Sequence, residues 1–240
     1  MNETYLRMAK MLDHSLLSPD LTADDLENGI TLAMAYDVAS VCIMPFYMKR
    51  LSERLAETSV KTSTTIGFPH GGHTTHVKVA EAERAIHDGC EELDMVVNVS
   101  QVLSERWELV TQDISEVIDV AHANDRKVKV IFENCYLSDS QKIRLCEICG
   151  SLNADWVKTS TGYGSGGATL PDLELMRRHS PDHVRLKAAG GVRDYDTLLQ
   201  VRNLGADRCG ASKTKDILDE CRTRLELPPI DSPDSIGGSY

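Results

Sequence analysis

Two lysines and one aspartate lie in short apolar segments of this chain, where charged side chains are unusual. Lys158 ends the segment DWVK and is followed by a loop of Gly, Ser and Thr, Lys187 lies in VRLKAA, and Asp94 lies in LDMVVNV. Burying a charge is costly unless it is paired or used. These three side chains are therefore candidates for catalysis.

The chemistry that uses such a trio is Schiff-base catalysis. A neighbouring ammonium and partial burial both favour the neutral form of a lysine, so Lys187 on an adjacent strand would lower the pKa of Lys158. The amine of Lys158 would attack an aldehyde or ketone, and Asp94 would move protons through water. The resulting iminium draws electrons from a neighbouring carbon–carbon bond, so that this bond can break or form. The alternative is two ordinary ion pairs, Lys158 with Asp94 and Lys187 with Glu133.

Distant segments must converge to bring these side chains together. Apolar segments typical of buried strands alternate with amphipathic segments typical of helices. The strand segments are SVCIM, TTIGF, LDMVVNV, VKVIF, DWVK, VRLKAA and DRCGAS, with a weaker one near MLDHSLL. Eight parallel strands joined by helices close a barrel. We therefore predict an α/β fold, a single (β/α)8 TIM barrel over residues 1–226, with a short flexible C-terminal tail over residues 227–240.

In such a barrel, polar residues at the C-terminal ends of strands form the active face. The polar residues at or just before the ends of the predicted strands are Asp13, Asp94, Glu133, Lys158, Lys187 and Ser212. The barrel therefore predicts that both lysines and Asp94 converge at one mouth.

Glycine-rich loops follow three successive late strands, in TGYGSGG, AAGGV and CGAS. Glycine lets backbone N–H groups approach an anion, and a helix N-terminus favours negative charge. These loops predict a phosphorylated substrate, bound by Thr161, Gly162, Gly190, Gly191, Gly210, Ser212 and Lys213.

Composition narrows the classes of partner. The chain has 240 residues and a formal net charge of -11, with 26 Lys and Arg against 37 Asp and Glu, so nucleic acid and membranes are disfavoured. Seven scattered cysteines are typical of a reduced compartment. With neither a signal core nor a membrane-length apolar run, the sequence predicts a cytoplasmic protein. Its expected partner is a small phosphorylated sugar or aldehyde, and no cofactor is predicted.

A histidine-rich loop, GFPHGGHTTHVK, leaves a second mechanism open. His70, His73 and His76 could bind Zn²⁺ and stabilise an enolate, as in a metal-dependent class II aldolase. Their spacing is not the i, i+4 pair of a helical zinc site, which favours surface histidines and no metal. A third alternative is a non-catalytic barrel that binds a sugar phosphate.

Several stretches together resemble the 2-deoxyribose-5-phosphate aldolase family. They are DHSLL, VCIMPFYM, IGFPHG, VKVAEAERAIHDGCEELDMVVNV, VKTSTGYG and KAAGGVRD, in the family's order and spacing over roughly residues 10–215. The resemblance implies a class I aldolase on an eight-stranded barrel. It would reversibly cleave 2-deoxy-D-ribose 5-phosphate to acetaldehyde and D-glyceraldehyde 3-phosphate.

The resemblance also implies roles for individual residues. Lys158 forms the Schiff base, Lys187 lowers its pKa, and Asp94 moves protons with a water. Asp13 belongs to a polar network around the substrate with Lys187, and Cys42 lies near the site. Some family members end in a tyrosine that reaches the active site, which makes Tyr240 a catalytic candidate. Related barrels often dimerise through their outer helices, so a homodimer is one expected assembly.

Three features depart from the family's pattern. Lys213 stands where a small or hydroxyl residue is usual, the three histidines replace apolar, small or acidic residues, and Cys135 replaces a common glycine. The first two are expected to line the substrate mouth. They affect the choice of substrate and not the Schiff-base chemistry.

Overall fold

The computed structural model describes residues 2–234, which form a closed barrel of eight parallel strands in sequential order. All eight predicted strands are present, including the weak first one, and the predicted TIM barrel is confirmed. The strands are β1 (Leu12–Leu16), β2 (Ser40–Ile43), β3 (Lys61–Ile66), β4 (Glu92–Val96), β5 (Lys127–Ile131), β6 (Trp156–Lys158), β7 (Arg185–Ala189) and β8 (Ala206–Ala211).

Helices surround the barrel and bury their apolar faces against it. Within residues 2–234 they are α1 (Glu3–Ala9), α2 (Ala23–Tyr36), α3 (Met48–Leu55), α4 (Thr75–His87), α5 (Val99–Leu103), α6 (Trp107–His122), α7 (Asp139–Ser151), α8 (Leu170–His179), α9 (Tyr195–Asn203) and α10 (Thr214–Arg224). Side chains cap the first turns of α2 and α8, because the Thr22 hydroxyl accepts from the Asp25 backbone N–H and Thr169 does the same for Asp172. Across the described residues, no helix is long and apolar enough to cross a membrane.

The register of the late strands brings the two candidate lysines side by side. Lys158 is paired with Lys187 across β6 and β7. On the adjoining strands, β4 pairs with β5 so that Asp94 lies beside Lys129. Only Lys158 ends its strand, whereas Asp13, Asp94 and Lys187 lie within theirs. The expectation of a position at or just before a strand end is therefore wrong for Asp13, Asp94 and Lys187. These three side chains lie in a buried layer beneath the mouth.

The described part of the predicted tail runs back along α10. The guanidinium of Arg222, near the end of that helix, donates to the Pro228 carbonyl at 2.9 Å. The ammonium of Lys215, near its beginning, donates to the Ser232 carbonyl at 3.4 Å. Since α10 begins at the C-terminal face of the barrel, residues 227–234 return the chain toward the mouth. Flexibility of the tail stays a prediction, and Tyr240 lies outside the described residues.

Candidate active site

A cavity of about 140 Å³ opens at the C-terminal face, above the end of β6. The loops after β1, β6, β7 and β8 enclose it. All of the predicted substrate-binding residues except Cys42 line it, together with the candidate nucleophile: Lys158, Thr161, Gly162, Gly190, Gly191, Gly210, Ser212 and Lys213. The structure thus brings together three glycine-rich loops that are far apart in sequence.

The three candidate catalytic groups meet on one carboxylate oxygen. The Nζ of Lys158 and the Nζ of Lys187 each lie 2.7 Å from Oδ2 of Asp94. Asp94 is fully buried and Lys158 is 3% exposed, at the cavity floor. Lys187 pairs additionally with Asp13 at 2.6 Å, so the alternative ion pair with Glu133 is wrong.

The two lysines differ in protonation because their neighbours differ. Burial lowers the pKa of Lys158, and the ammonium of Lys187 lowers it further, against the opposing effect of Asp94. Burial also disfavours the charge of Lys187, but Asp13 and Asp94 outweigh it and raise the pKa of Lys187 above its usual value. Lys158 is therefore the amine more ready to attack, and Lys187 is the persistent cation.

Asp94 is held as a carboxylate. Burial favours its neutral form, but the cations of Lys129, Lys158 and Lys187 outweigh it and hold the pKa of Asp94 well below its usual range. A permanently ionised Asp94 can accept a proton only from a strong acid, so it acts best by orienting a water or an ammonium that carries the proton.

Sequence reasoning missed three charged residues beneath the cavity. They are Lys129, Glu92 and Arg208. Lys129 forms ion pairs with Asp94 Oδ1 at 2.8 Å and with Glu92 at 2.6 Å, and Arg208 forms an ion pair with Glu92 at 2.9 Å. Glu92 lies two residues before Asp94 and therefore on the same face of β4. This alternation of side chains along the strand was the sequence signal that could have identified Glu92.

The glycine-rich part of the cavity lining has the character of an anion site. Gly190 and Gly191 have φ of 79° and 88°, a conformation that glycine adopts readily. A Cβ on Gly190 would lie 2.9 Å from the Cα of Gly167, so the two glycine-rich loops touch closely. Lys213, the N-cap of α10, and Arg193 add positive charge to the lining, and Arg193 was not predicted.

Four predicted site residues lie beneath the cavity and outside its lining: Asp94 and Lys187, described above, and Asp13 and Cys42. Asp13 is fully buried and holds Lys187 and Arg208, at 2.6 Å and 2.5 Å. Cys42 is 1% exposed, and burial together with Asp94 raises the pKa of its thiol to about 11. Asp13 supports the lysines from below, and Cys42 stays a neutral thiol.

Glu133 holds the loop after β6. Its carboxylate accepts the backbone N–H of Thr161 at 3.1 Å and also accepts the Thr161 hydroxyl. The hydroxyl of Tyr163 donates to the Leu17 carbonyl at 2.8 Å, joining this loop to the one after β1. The TSTGYG segment is therefore anchored at both sides of Gly162.

The histidine loop does not assemble a metal site. His70 lies in a separate small pocket with Glu133 and Tyr136. Among residues 2–234, no group of three or more His, Cys, Asp or Glu side chains is placed to hold a metal ion. Within this part of the chain, His70, His73 and His76 are therefore not grouped as ligands of one metal ion.

Several known proteins are similar to this chain in sequence and in fold. Residues 7–212 match the family described as DeoC/LacD family aldolase. The chain is 64% identical to deoxyribose-phosphate aldolase of Rhodopirellula baltica, over 95% of this chain and 94% of that protein. It is 42% identical to deoxyribose-phosphate aldolase of Thermococcus gammatolerans, over 90% of this chain and 96% of that protein. The solved deoxyribose phosphate aldolase from Aeropyrum pernix matches with a TM-score of 0.85 and 28% identity, over 92% of this chain and 93% of that one. The chain therefore belongs to the DeoC/LacD family of aldolases.

Proposed function

We propose that this protein reversibly cleaves 2-deoxy-D-ribose 5-phosphate to acetaldehyde and D-glyceraldehyde 3-phosphate through a Schiff base on Lys158. The observation that carries the proposal is the position of the Lys158 amine, at the floor of the cavity and 2.7 Å from Asp94. Its pKa is lowered, so at a given pH more of this amine is neutral and nucleophilic than for an ordinary lysine. The relatives named above carry this activity in their names.

The reaction follows from that amine. The Nζ of Lys158 attacks C1 of the open-chain sugar, and loss of water leaves an iminium. A base removes the proton of the C3 hydroxyl, the C2–C3 bond breaks, and its electron pair enters the iminium to give an enamine. D-glyceraldehyde 3-phosphate leaves, C2 takes up a proton, and water releases acetaldehyde from Lys158. The reverse sequence forms the sugar.

Proton movement falls to the groups around Lys158. The Lys187 ammonium and the Asp94 carboxylate are hydrogen-bonded at 2.7 Å and carry opposite charges. A water in the cavity exchanges protons with substrate; the pair of Asp94 and Lys187 orients that water, and the Asp94 carboxylate stabilises the cationic iminium. Asp13 keeps Lys187 charged during the cycle.

The phosphate occupies the end of the cavity opposite Lys158. Backbone N–H groups of Gly190 and Gly191, the Ser212 hydroxyl and the charge of Lys213 form this end, where α10 begins. Fixing the phosphate places C1 at the amine and contributes mainly to orientation. Unphosphorylated 2-deoxyribose is therefore expected to be cleaved far less efficiently.

Tyr240 is proposed to assist proton transfer from the tail. Lys215 Nζ lies 3.5 Å from Asp234, so the last described residue is next to the beginning of α10 and thus to the mouth. Six further residues can span up to about 20 Å. Deleting Tyr240 should slow deuterium uptake at the acetaldehyde methyl more than it weakens sugar binding. Unchanged exchange and unchanged kcat would remove Tyr240 from the mechanism.

The test of the whole proposal is covalent trapping. Acetaldehyde and borohydride, followed by mass spectrometry, should leave a reduced adduct on Lys158 in the presence of a chelator. Lys158→Ala should lose the adduct and the retro-aldol activity together. Chelator-sensitive activity without an adduct would select the class II alternative, and absence of both activity and adduct would select the sugar-phosphate-binding barrel.

The expected assembly is a separate question. The homodimer expected of related barrels stays a prediction, which light scattering on the purified chain would test. Neither the cavity nor the lysine layer described above requires a second copy, since one chain supplies every residue named in them.

A further inference from the structure

Beneath the cavity lies a largely buried layer of seven charged side chains drawn from six strands. Three are carboxylates and four are bases: Asp13, Glu92, Asp94, Lys129, Lys158, Lys187 and Arg208. The mechanism above uses four of them. Lys129, which is fully buried, has no role in it, nor do Glu92 and Arg208.

Lys129 occupies the side of Asp94 that faces away from the reaction. Its Nζ lies 2.8 Å from Asp94 Oδ1, while Lys158 and Lys187 share Oδ2 at 2.7 Å. Glu92 holds the same Nζ at 2.6 Å, and Arg208 in turn holds Glu92 at 2.9 Å. Glu92 thereby holds the Lys129 ammonium in place, and that ammonium in turn restricts the rotation of the Asp94 carboxylate.

The charges of the layer balance only if one base is neutral. Three carboxylates face four bases, and an uncompensated charge at this depth is costly. Within the described residues, Lys129, Lys187 and Arg208 each contact two or more carboxylates, whereas Lys158 contacts Asp94 alone. Lys158 is therefore the base with the least to lose by giving up its proton.

Arg185 and Asp207, which lie beside the layer, carry opposite charges 3.9 Å apart and add no net charge to this count. Three buried cysteines beside the layer do not alter it either. Burial raises the pKa of the thiol of Cys42 to about 11, and that of Cys90 and of Cys209 to about 12, so all three are uncharged near neutral pH. The side chain facing the layer from β3 is Ser63, whose hydroxyl donates to Asp94 Oδ1 at 3.3 Å and carries no charge.

We propose that Lys129 is a positioning residue for the aldolase reaction. It turns Oδ2 of Asp94 toward Lys158 and supplies the third cation that balances the three carboxylates, so that Lys158 is left as the uncharged nucleophile. This inference rests on the proposed function, because it explains why Lys158, and not another lysine of the layer, forms the Schiff base.

Changing the number of charges in the layer should shift the pKa of Lys158, whereas a merely structural role of Lys129 predicts no such shift. Lys129→Met removes a cation, so Lys158 must then carry a proton to balance the layer, and its pKa should rise by about one unit. Glu92→Gln removes an anion, so the same pKa should fall. The double variant restores the balance and should return the pKa close to the wild-type value. Each variant approximately conserves side-chain size.

The experiment measures kcat/KM for 2-deoxyribose 5-phosphate against pH, whose acid limb reports the pKa of Lys158 in the free enzyme. We expect the limb to move up in Lys129→Met, down in Glu92→Gln and back in the double variant. At a pH on the limb, Lys129→Met should be about tenfold slower than wild type, and the gap should close at higher pH. A limb that stays in place in both single variants, or moves the same way in both, overturns the proposal.

Circular dichroism and borohydride trapping distinguish a folding defect from a failure of the mechanism. If Lys129→Met does not fold, Glu92→Gln alone decides, since a downward shift supports the proposal and an unmoved limb overturns it. If wild type gives no adduct on Lys158, the proposed function itself fails. If wild type gives the adduct but the limbs do not move as described, only the role of Lys129 fails.

Discussion

Replacing Lys187 with methionine tests how strongly one ammonium controls the other. Both Nζ atoms lie 2.7 Å from Asp94 Oδ2, so they are at most about 5.4 Å apart. At an effective dielectric constant of about 20, two unit charges at that distance repel by about 3 kcal/mol. Removing Lys187 should therefore raise the pKa of Lys158 by about two units.

The expected kinetic result follows from the protonation of Lys158. Below its pKa the amine is protonated and cannot attack, so kcat/KM rises with pH through that pKa. In Lys187→Met, kcat/KM at pH 7 should fall by about a hundredfold and recover partly as the pH approaches the new pKa. Asp13 keeps Arg208 as a partner at 2.5 Å, so the layer should still fold.

Pre-steady-state trapping with borohydride across pH is the assay, because it reports the neutral amine directly. The matched control is Lys158→Ala, which should show neither adduct nor recovery at any pH. The reasoning is refuted if Lys187→Met loses activity equally at every pH while the adduct on Lys158 forms as in wild type. Lys187 would then donate a proton in the reaction and would not set the pKa of its neighbour.

Three further outcomes are expected. Lys213→Ser should raise KM for 2-deoxyribose 5-phosphate several-fold and leave KM for 2-deoxyribose unchanged; equal effects on both sugars would exclude a phosphate contact. Gly190→Ala should strain a backbone with φ of 79° by about 1–3 kcal/mol and weaken phosphate binding, whereas Gly72→Ala, with open space around it, should do neither in thermal melts and KM measurements. Burial favours the neutral forms of Asp13 and Asp94, but neighbouring cations outweigh it and hold the pKa of each carboxyl group below the usual range. The two carboxylates therefore contribute to the free energy of unfolding above about pH 4, and this contribution is lost as the pH falls further. Urea titrations from about pH 7 to about pH 3 should show that loss, and a flat profile would contradict it.

Much of the fold could be predicted because the signals are local. Apolar segments with turn residues between them mark buried strands, and the eight segments correspond to the eight strands observed. The motif around Lys158 is also local, since a lysine at the end of an apolar strand before a glycine-rich loop indicates chemistry whatever lies beside it. The proposed Schiff-base lysine and the proposed phosphate-binding loops could be identified from the sequence for that reason.

Lys129 shows what only the tertiary structure decided. In KVKVI the alternation places Lys127 and Lys129 on one face of a strand, and nothing local distinguishes them, yet Lys127 is exposed and Lys129 is fully buried. The difference arises because closing the barrel brings Asp13, Glu92 and Asp94 around the deeper lysine. The sequence alone determined which strands carry the candidate reactive groups. The protonation of those groups depends on charges from six strands, at distances that exist only once the barrel has closed.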